Sequence, residues 1–258
     1  MTKIVFLGTG GGRTAVVKQV RRTGGFRISS KSAEIHVDPG PGALVATHKA
    51  KLDPLTLDAI IVSHNHVDHF NDAMIMIEGM THFTRKKRGI IIGSKRSLEK
   101  SPDDEPGVHK YHQNLVQEVY VAQFGKRKKF KTEKGEFEIE IIEMKHAEPT
   151  TFGFRLFIDE KIIGYITDTL YREEFEEAFI GCDILIVNCI KPESDGYDGH
   201  ITSNDLIKIL PKIKPKTCII THLGMKMLNG VAQKEARRIQ KITKVKTISA
   251  KDFMEVEF

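Results

Sequence analysis

No stretch of this chain limits its fold as strongly as Ser63-His64-Asn65-His66-Val67-Asp68-His69. It follows a short apolar run, Asp58-Ala59-Ile60-Ile61-Val62, that reads as a buried strand. It precedes a second apolar stretch, Phe70 to Met80, that reads as a helix. Three imidazoles and one carboxylate are therefore crowded onto one strand-to-helix turn. In an extended backbone His64 and His66 alternate onto a common face. Asp68 and His69 come where the chain must bend, and they address a second point in space. Imidazole and carboxylate are the ligands that suit zinc, iron and manganese. A lone histidine in a loop would be ordinary polar surface. Four such donors within six positions, set directly after a buried strand, point to a metal site.

His-x-His-x-Asp-His resembles the signature of the metallo-β-lactamase fold, and it stands unbroken here. Downstream residues extend the resemblance in the family's order. Apolar, strand-like runs deliver His64, His146, Asp168 and His222 at their ends, as open α/β layers do when they set functional groups along one edge. His146 opens His-Ala-Glu-Pro-Thr-Thr-Phe-Gly-Phe, which is similar to the His…Phe-Gly-Phe segment of the phosphodiesterase members. Asp168 lies in Ile-Thr-Asp-Thr, which resembles their Gly-Asp-Thr, and His222 lies in Ile-Ile-Thr-His-Leu, close to their final Leu-Thr-His. The likeness runs from the first strand to about residue 224.

The resemblance implies an α/β (α+β) chain folded as a four-layer αββα sandwich, with two mixed sheets face to face and helices outside. Residues 1–258 then form one metallo-β-lactamase-like domain. It also implies two divalent metal ions, zinc first, with manganese and iron as alternatives. His64, His66 and His146 would bind one ion, and Asp68, His69 and His222 the other. Asp168 would bridge them through one carboxylate oxygen or two. Two such ions lower the pKa of a shared water, so that hydroxide exists at neutral pH, and they polarise the carbonyl or phosphoryl oxygen under attack. Asp68 is expected to share in the catalysis.

Two further residues take roles from the resemblance. A strand ending in Asp-x-Gly before the histidine cluster is a family feature, so Asp38 is expected to hold the metal loop by hydrogen bonds, since metal-bound imidazoles need an outer partner. On its own terms Asp38-Pro39-Gly40-Pro41-Gly42 is a turn in which Asp38 could be simply a turn former. Ribonuclease Z-like and cyclic-phosphodiesterase-like members carry a histidine that faces the scissile phosphate, and His200 in Gly199-His200-Ile201-Thr202 matches it. An alkoxide is a poor leaving group, and a positioned imidazole can give it a proton. Read without the family, His200 is a residue at a helix start. A typical ribonuclease Z also has a long basic arm containing glycine and proline that grips transfer RNA. No such arm is found in this sequence, which favours a smaller phosphodiester.

Gly8-Thr9-Gly10-Gly11-Gly12-Arg13 has the look of a phosphate-binding loop, but no Gly-Lys-Ser/Thr follows and Arg13 stands where a dinucleotide fingerprint needs glycine. It reads as a turn with close backbone approach, and the resemblance implies that it lies near the site's rim. Arg85-Lys86-Lys87-Arg88 and Lys126-Arg127-Lys128-Lys129 are either solvated faces or phosphate contacts. Residues 95–114 lose their periodicity, and His109 and His112 there read as loop histidines. A loop of that length suits a lid or a substrate-binding segment. A second loop, Pro192 to Gly199, leads to His200.

A net charge of +6 favours an anionic partner, a small molecule or a nucleic acid. No apolar run approaches the roughly eighteen residues of a membrane span, so no membrane partner is expected. Ile4 to Leu7 is too short for a signal-peptide core, and the three cysteines have no metal-type spacing, so a reducing, cytoplasmic setting is expected. A homo-oligomer such as a dimer stays open. The expected activity is hydrolysis of a phosphodiester in a nucleotide, cyclic nucleotide or RNA. A carboxylic ester, thioester or lactone hydrolase on the same site is the alternative. An RNA-binding or non-catalytic member of the fold is a second.

Overall fold

Ala59-Ile60-Ile61-Val62 and Ile90-Ile91-Ile92-Gly93 are buried at every position. Continuous apolar runs of this kind belong in parallel strands covered on both faces. The computed structural model describes residues 2–194 and 199–258, and it places both runs inside a first mixed sheet. That sheet contains β1 (Lys3–Gly8), β2 (Thr23–Ser29), β3 (Glu34–Val37), β4 (Ala59–Val62), β5 (Ile90–Gly93) and β6 (Glu118–Val121) in spatial order. A second mixed sheet contains β7 (Arg127–Lys131), β8 (Glu136–Glu143), β9 (Phe152–Ile158), β10 (Lys161–Ile166), β11 (Ile184–Asn188), β12 (Thr217–Thr221) and β13 (Lys246–Ser249), also in spatial order. β14 (Glu255–Glu257) returns to pair with β1. Each sheet has seven strands among the described residues.

The sheets face one another across a core that takes Phe26, Ile35 and Ile61 from the first and Phe154, Leu156 and Ile186 from the second. β8 shows why this works: its burial alternates along the strand, so one face meets the core and the other looks outward. The outer face of the first sheet is covered by the helix Ala73–Met80, whose Met76, Ile77 and Met80 pack on Ile60 and Val62. The outer face of the second is covered by Ser203–Ile213 and Val231–Thr243, through Leu206, Ile209, Leu210 and Ile239. Four layers result, helix–sheet–sheet–helix, as the sequence led one to expect.

Three local differences have physical causes. The helix expected over Phe70 to Met80 is two, Val67–Phe70 and Ala73–Met80, because the chain turns at Asn71–Asp72 to fasten onto the Asp38 turn, with Asp72 N donating to Pro39 O at 2.9 Å. Glu173 to Ile180 also reads as a helix in the sequence, and only one turn of it, Phe175–Ala178, forms. The Lys126–Lys129 cluster lies mostly in β7, where Arg127 pairs with Glu138, Lys128 with Glu118 and Lys129 with Glu136. Three cations offered as phosphate contacts are thus matched by neighbouring carboxylates. Arg88 of the other cluster is also engaged, pairing with the buried Asp58 and donating to the carbonyls of Leu55, Leu57 and Met80. No helix among the described residues is long and apolar enough to cross a membrane.

Candidate metal centre

One edge of the sandwich gathers the ends of β3, β4, β8, β10, β11 and β12. β3 delivers Asp38, β4 delivers Ser63 and His64, β10 delivers Thr167 and Asp168, and β12 delivers His222. β8 ends at Glu143, three residues before His146. The two sheets are stitched together here, with Phe152 N donating to Ser63 O at 3.1 Å. His200 comes just before the helix Ser203–Ile213, whose start is fixed by a reciprocal cap. Thr202 Oγ1 accepts from Asp205 N, and the Asp205 carboxylate accepts from Thr202 N. Residues 195–198 of the loop leading to it lie outside the described residues.

The donors predicted from the sequence converge. His64 Nε2 lies 3.0 Å from His66 Nδ1, and His146 Nε2 lies 3.2 Å from the same atom. Asp168 Oδ2 stands 3.8 Å from His64 Nε2, 3.9 Å from His146 Nε2 and 3.4 Å from His69 Nε2. Asp68 Oδ2 lies 3.9 Å from both His69 Nε2 and His222 Nε2. The other oxygen of Asp168 faces His222 Nε2 at 3.3 Å and His200 Nδ1 at 3.6 Å. Nitrogen and oxygen ligands about 2.0–2.2 Å from a common ion are separated by about these distances. His109 and His112 are not among the gathered donors; His112 pairs instead with Glu78.

His69 Nε2 and His222 Nε2 are buried and make no hydrogen bond. A buried polar atom without a partner costs free energy. Two of them aimed beside a buried carboxylate are what a cation site leaves when its donors are considered alone. Charge agrees. Burial opposes ionisation of Asp168, but His222, His200 and His69 hold its carboxyl well below the usual range. Burial pushes His64, His66 and His146 below their ordinary values, and His222 down to about 4, so these rings present the neutral form that binds metals. Burial also opposes a charge on His69, but Asp168, Asp38 and Asp68 outweigh it and raise that ring well above its ordinary value. Burial likewise opposes a charge on His200, and Asp168 again outweighs it, raising that ring. The carboxylates attract positive charge at this point whether a proton or a cation supplies it.

Outer contacts fix the rings. Asp38 is buried, with φ of 50°, a conformation that aspartate tolerates better than most residues. Its carboxylate accepts from Ser63 N and Ser63 Oγ, both at 2.7 Å, and meets His69 Nδ1 at 2.9 Å. His64 Nδ1 lies 3.0 Å from Ser63 Oγ, and His146 Nδ1 lies 3.1 Å from Gly199 O. The glycine-rich turn after β1 comes very close, since a Cβ on Gly11 would collide with the His222 ring; in the Asp38 turn after β3, one on Gly40 would collide with the Asp68 carbonyl.

Two polar residues of this edge escaped the sequence reading. Tyr165 OH donates to Asp38 Oδ2 at 2.8 Å, and Asn188 Nδ2 donates to Asp168 Oδ1 at 2.7 Å. Asn188 closes the apolar strand Ile184–Asn188 just as the expected ligands follow theirs, so the same signal could have found it.

A model of the beta-lactamase superfamily domain matches residues 33–223. The chain is 38% identical over 257 residues to the uncharacterised protein MJ1374 of Methanocaldococcus jannaschii, covering 99% of this chain and 94% of that one. It is 27% identical over 158 residues to a ribonuclease Z of Thermococcus kodakarensis, covering 58% of this chain and 45% of that one. Among solved structures, the metallo-beta-lactamase fold protein YhfI of Bacillus subtilis superposes with a TM-score of 0.79 at 21% identity, covering 100% of this chain and 99% of that one.

Proposed function

The chain belongs to the β-lactamase superfamily, and on that footing we propose that it is a hydrolase dependent on two divalent cations whose substrate is a phosphodiester of a nucleotide, cyclic nucleotide or RNA. The observation that carries this reading is the position of Asp168, whose carboxylate lies within 4 Å of His64 and His146 on one side and His69 and His222 on the other. His64, His66 and His146 would hold one cation, Asp68, His69 and His222 the other, and Asp168 would be shared. Zinc, manganese and iron all suit this donor set. Bound there, such ions supply Lewis acidity toward the substrate and make water acidic enough to act as the nucleophile near neutral pH.

The chain's own residues do the rest. Ser63, Asp38 and Gly199 O hold His64, His69 and His146 in register through their second ring nitrogens. Asp68, 16% exposed and so the most open carboxylate of the cluster, would accept a proton from the attacking water. The His200 ring stacks on His222 at 5.8 Å and lies 5.2 Å from His146, so it faces both halves of the site. With the leaving oxygen on that side, the His200 ring would deliver its proton. The ribonuclease Z likeness supports the choice of phosphodiester. An ester, thioester or lactone hydrolase would use the same cations without needing His200. A non-catalytic reading lacks the ligand loss that would favour it, since every donor position is filled.

The test is a panel of phosphodiester, ester, thioester and lactone substrates, assayed with each metal on the wild-type protein and on His200→Ala. The variant should keep both ions and slow cleavage of a dinucleotide, whose alkoxide needs a proton, by about 10²–10⁴-fold. It should slow bis(p-nitrophenyl) phosphate much less. Equal slowing of both, or esters as the only substrates cleaved, contradicts the reading.

A further inference from the structure

Asp168 is held through one of its two oxygens by a neighbouring strand of the second sheet. Asn188 Nδ2 donates to Asp168 Oδ1, and that oxygen faces His222 at 3.3 Å, whereas Oδ2 points toward His64, His146 and His69. Next to Asn188, the Tyr165 hydroxyl lies 2.8 Å from Asp38 Oδ2 and 3.4 Å from Asn188 Oδ1. The hydroxyl has one proton and two acceptors. The shorter contact to a carboxylate takes it, so Tyr165 braces the same Asp38 oxygen that meets His69 Nδ1.

Packing does not require these polar atoms. The Tyr165 ring sits in the core against Phe26 at 5.1 Å and Phe154 at 5.4 Å, contacts that phenylalanine would keep. A buried amide and a buried hydroxyl are costly unless hydrogen-bonded, so an apolar pair would serve the core as well. What the polar atoms touch is Asp168 and Asp38. A second observation points the same way. Tyr165, Asn188 and Asp38 line one cleft together with Asp68, His69 and His222, and none of His64, His66 and His146 lines it. The outer partners of that other trio stand further off: Gly199 O holds His146, and Ser63 Oγ, itself bonded to Asp38 Oδ2, holds His64, so Tyr165 reaches that ring only at one further remove.

We propose that Asn188 and Tyr165 are positioning residues that act chiefly on one cation site, the one built from Asp68, His69 and His222, and reach the three-histidine site only at one remove, through Asp168 and the Asp38–Ser63 link. The proposal rests on the two-cation reading above and adds an asymmetry to it: these residues weigh on one site more than on the other.

The experiment is equilibrium dialysis of the full chain against manganese(II), with metal analysis and the EPR spectrum of the bound ions, on wild type, Tyr165→Phe and Asn188→Leu. Thermal melts of the chelated proteins establish that the variants fold, and Tyr165→Phe, which keeps the ring, is the variant least exposed to that failure. Wild type should bind two ions and show an exchange-coupled pair. Each variant should keep one ion at close to wild-type affinity, bind the second about 10- to 100-fold more weakly, and give the spectrum of an isolated ion at intermediate concentration. Variants that bind both ions as wild type does, or that weaken both equally, overturn the proposal. Wild type binding fewer than two ions would instead overturn the two-cation reading, and the asymmetry with it.

Discussion

Asp38 Oδ2 lies 2.9 Å from His69 Nδ1, both groups buried, at the point where β3 hands the chain to its first turn. The same carboxylate holds Ser63 by its backbone and its hydroxyl, so one side chain fixes the start of the histidine motif and the ring near its end. Asp38→Ala should therefore lower cation affinity about 10- to 100-fold. Competition with a chromogenic chelator measures it. Unchanged affinity would leave Asp38 as a turn former only.

Gly11 is needed for its missing side chain. Gly11→Ala should push the His222 ring aside and cost the chain an ion, since a Cβ there overlaps the ring. The midpoint of chelated protein should move far less than the metal content. Full metal occupancy in the variant would mean that the turn after β1 yields more easily than its contacts imply.

The donor set was legible chiefly through the family resemblance of the His64–His69 motif and the segments around His146, Asp168 and His222. That His64, His146, Asp168 and His222 each come at the end of a strand-like run agreed with it, since strand ends on one edge meet. The supporting atoms were harder to see. Tyr165 lies one residue inside β10 and reads as core, which its ring is; its hydroxyl acts on a residue 127 positions away. β7 was missed because Arg127-Lys128-Lys129-Phe130-Lys131 has one buried residue, Phe130, and its charges carry no apolar alternation. β6 is an edge strand with no fully buried position, so it too lacks the signal of a core strand. The split in the helix expected from Phe70 to Met80 depends on a contact with Pro39, which no local pattern contains.

Burial separates the basic residues in their effect on stability. Arg88 pairs with Asp58, whose side chain is 2% exposed, so Arg88→Ala leaves a buried charge without its guanidinium and should cost about 3–5 kcal/mol. Lys134, which also reaches Asp58, would moderate that loss. Lys129 and Glu136 pair on the surface, and Lys129→Ala should leave the urea midpoint essentially unchanged. Urea denaturation of both variants checks the contrast, and equal effects would contradict it.

His36 makes stability depend on acid. It is fully buried, Nε2 lies 2.8 Å from Gly24 O, and burial pushes its pKa down to about 4 from an ordinary 6.5. The unfolded chain therefore binds a proton that the folded chain refuses between those values. The contribution is fully present above pH 6.5 and is lost as pH falls toward 4. A shift of that size corresponds to roughly 3 kcal/mol. In urea melts from pH 7 to pH 4, His36→Gln should show a shallower loss of stability than wild type. Parallel curves would show that His36 titrates normally.

The proposed hydrolysis calls for two cations, one on either side of Asp168. The most direct measurement is anomalous diffraction from crystals soaked in manganese(II) or zinc. Two peaks are predicted, one among His64, His66 and His146 and one among Asp68, His69 and His222, with the Asp168 carboxylate between them. A single peak, or peaks away from Asp168, would contradict a shared carboxylate and the hydrolase built on it.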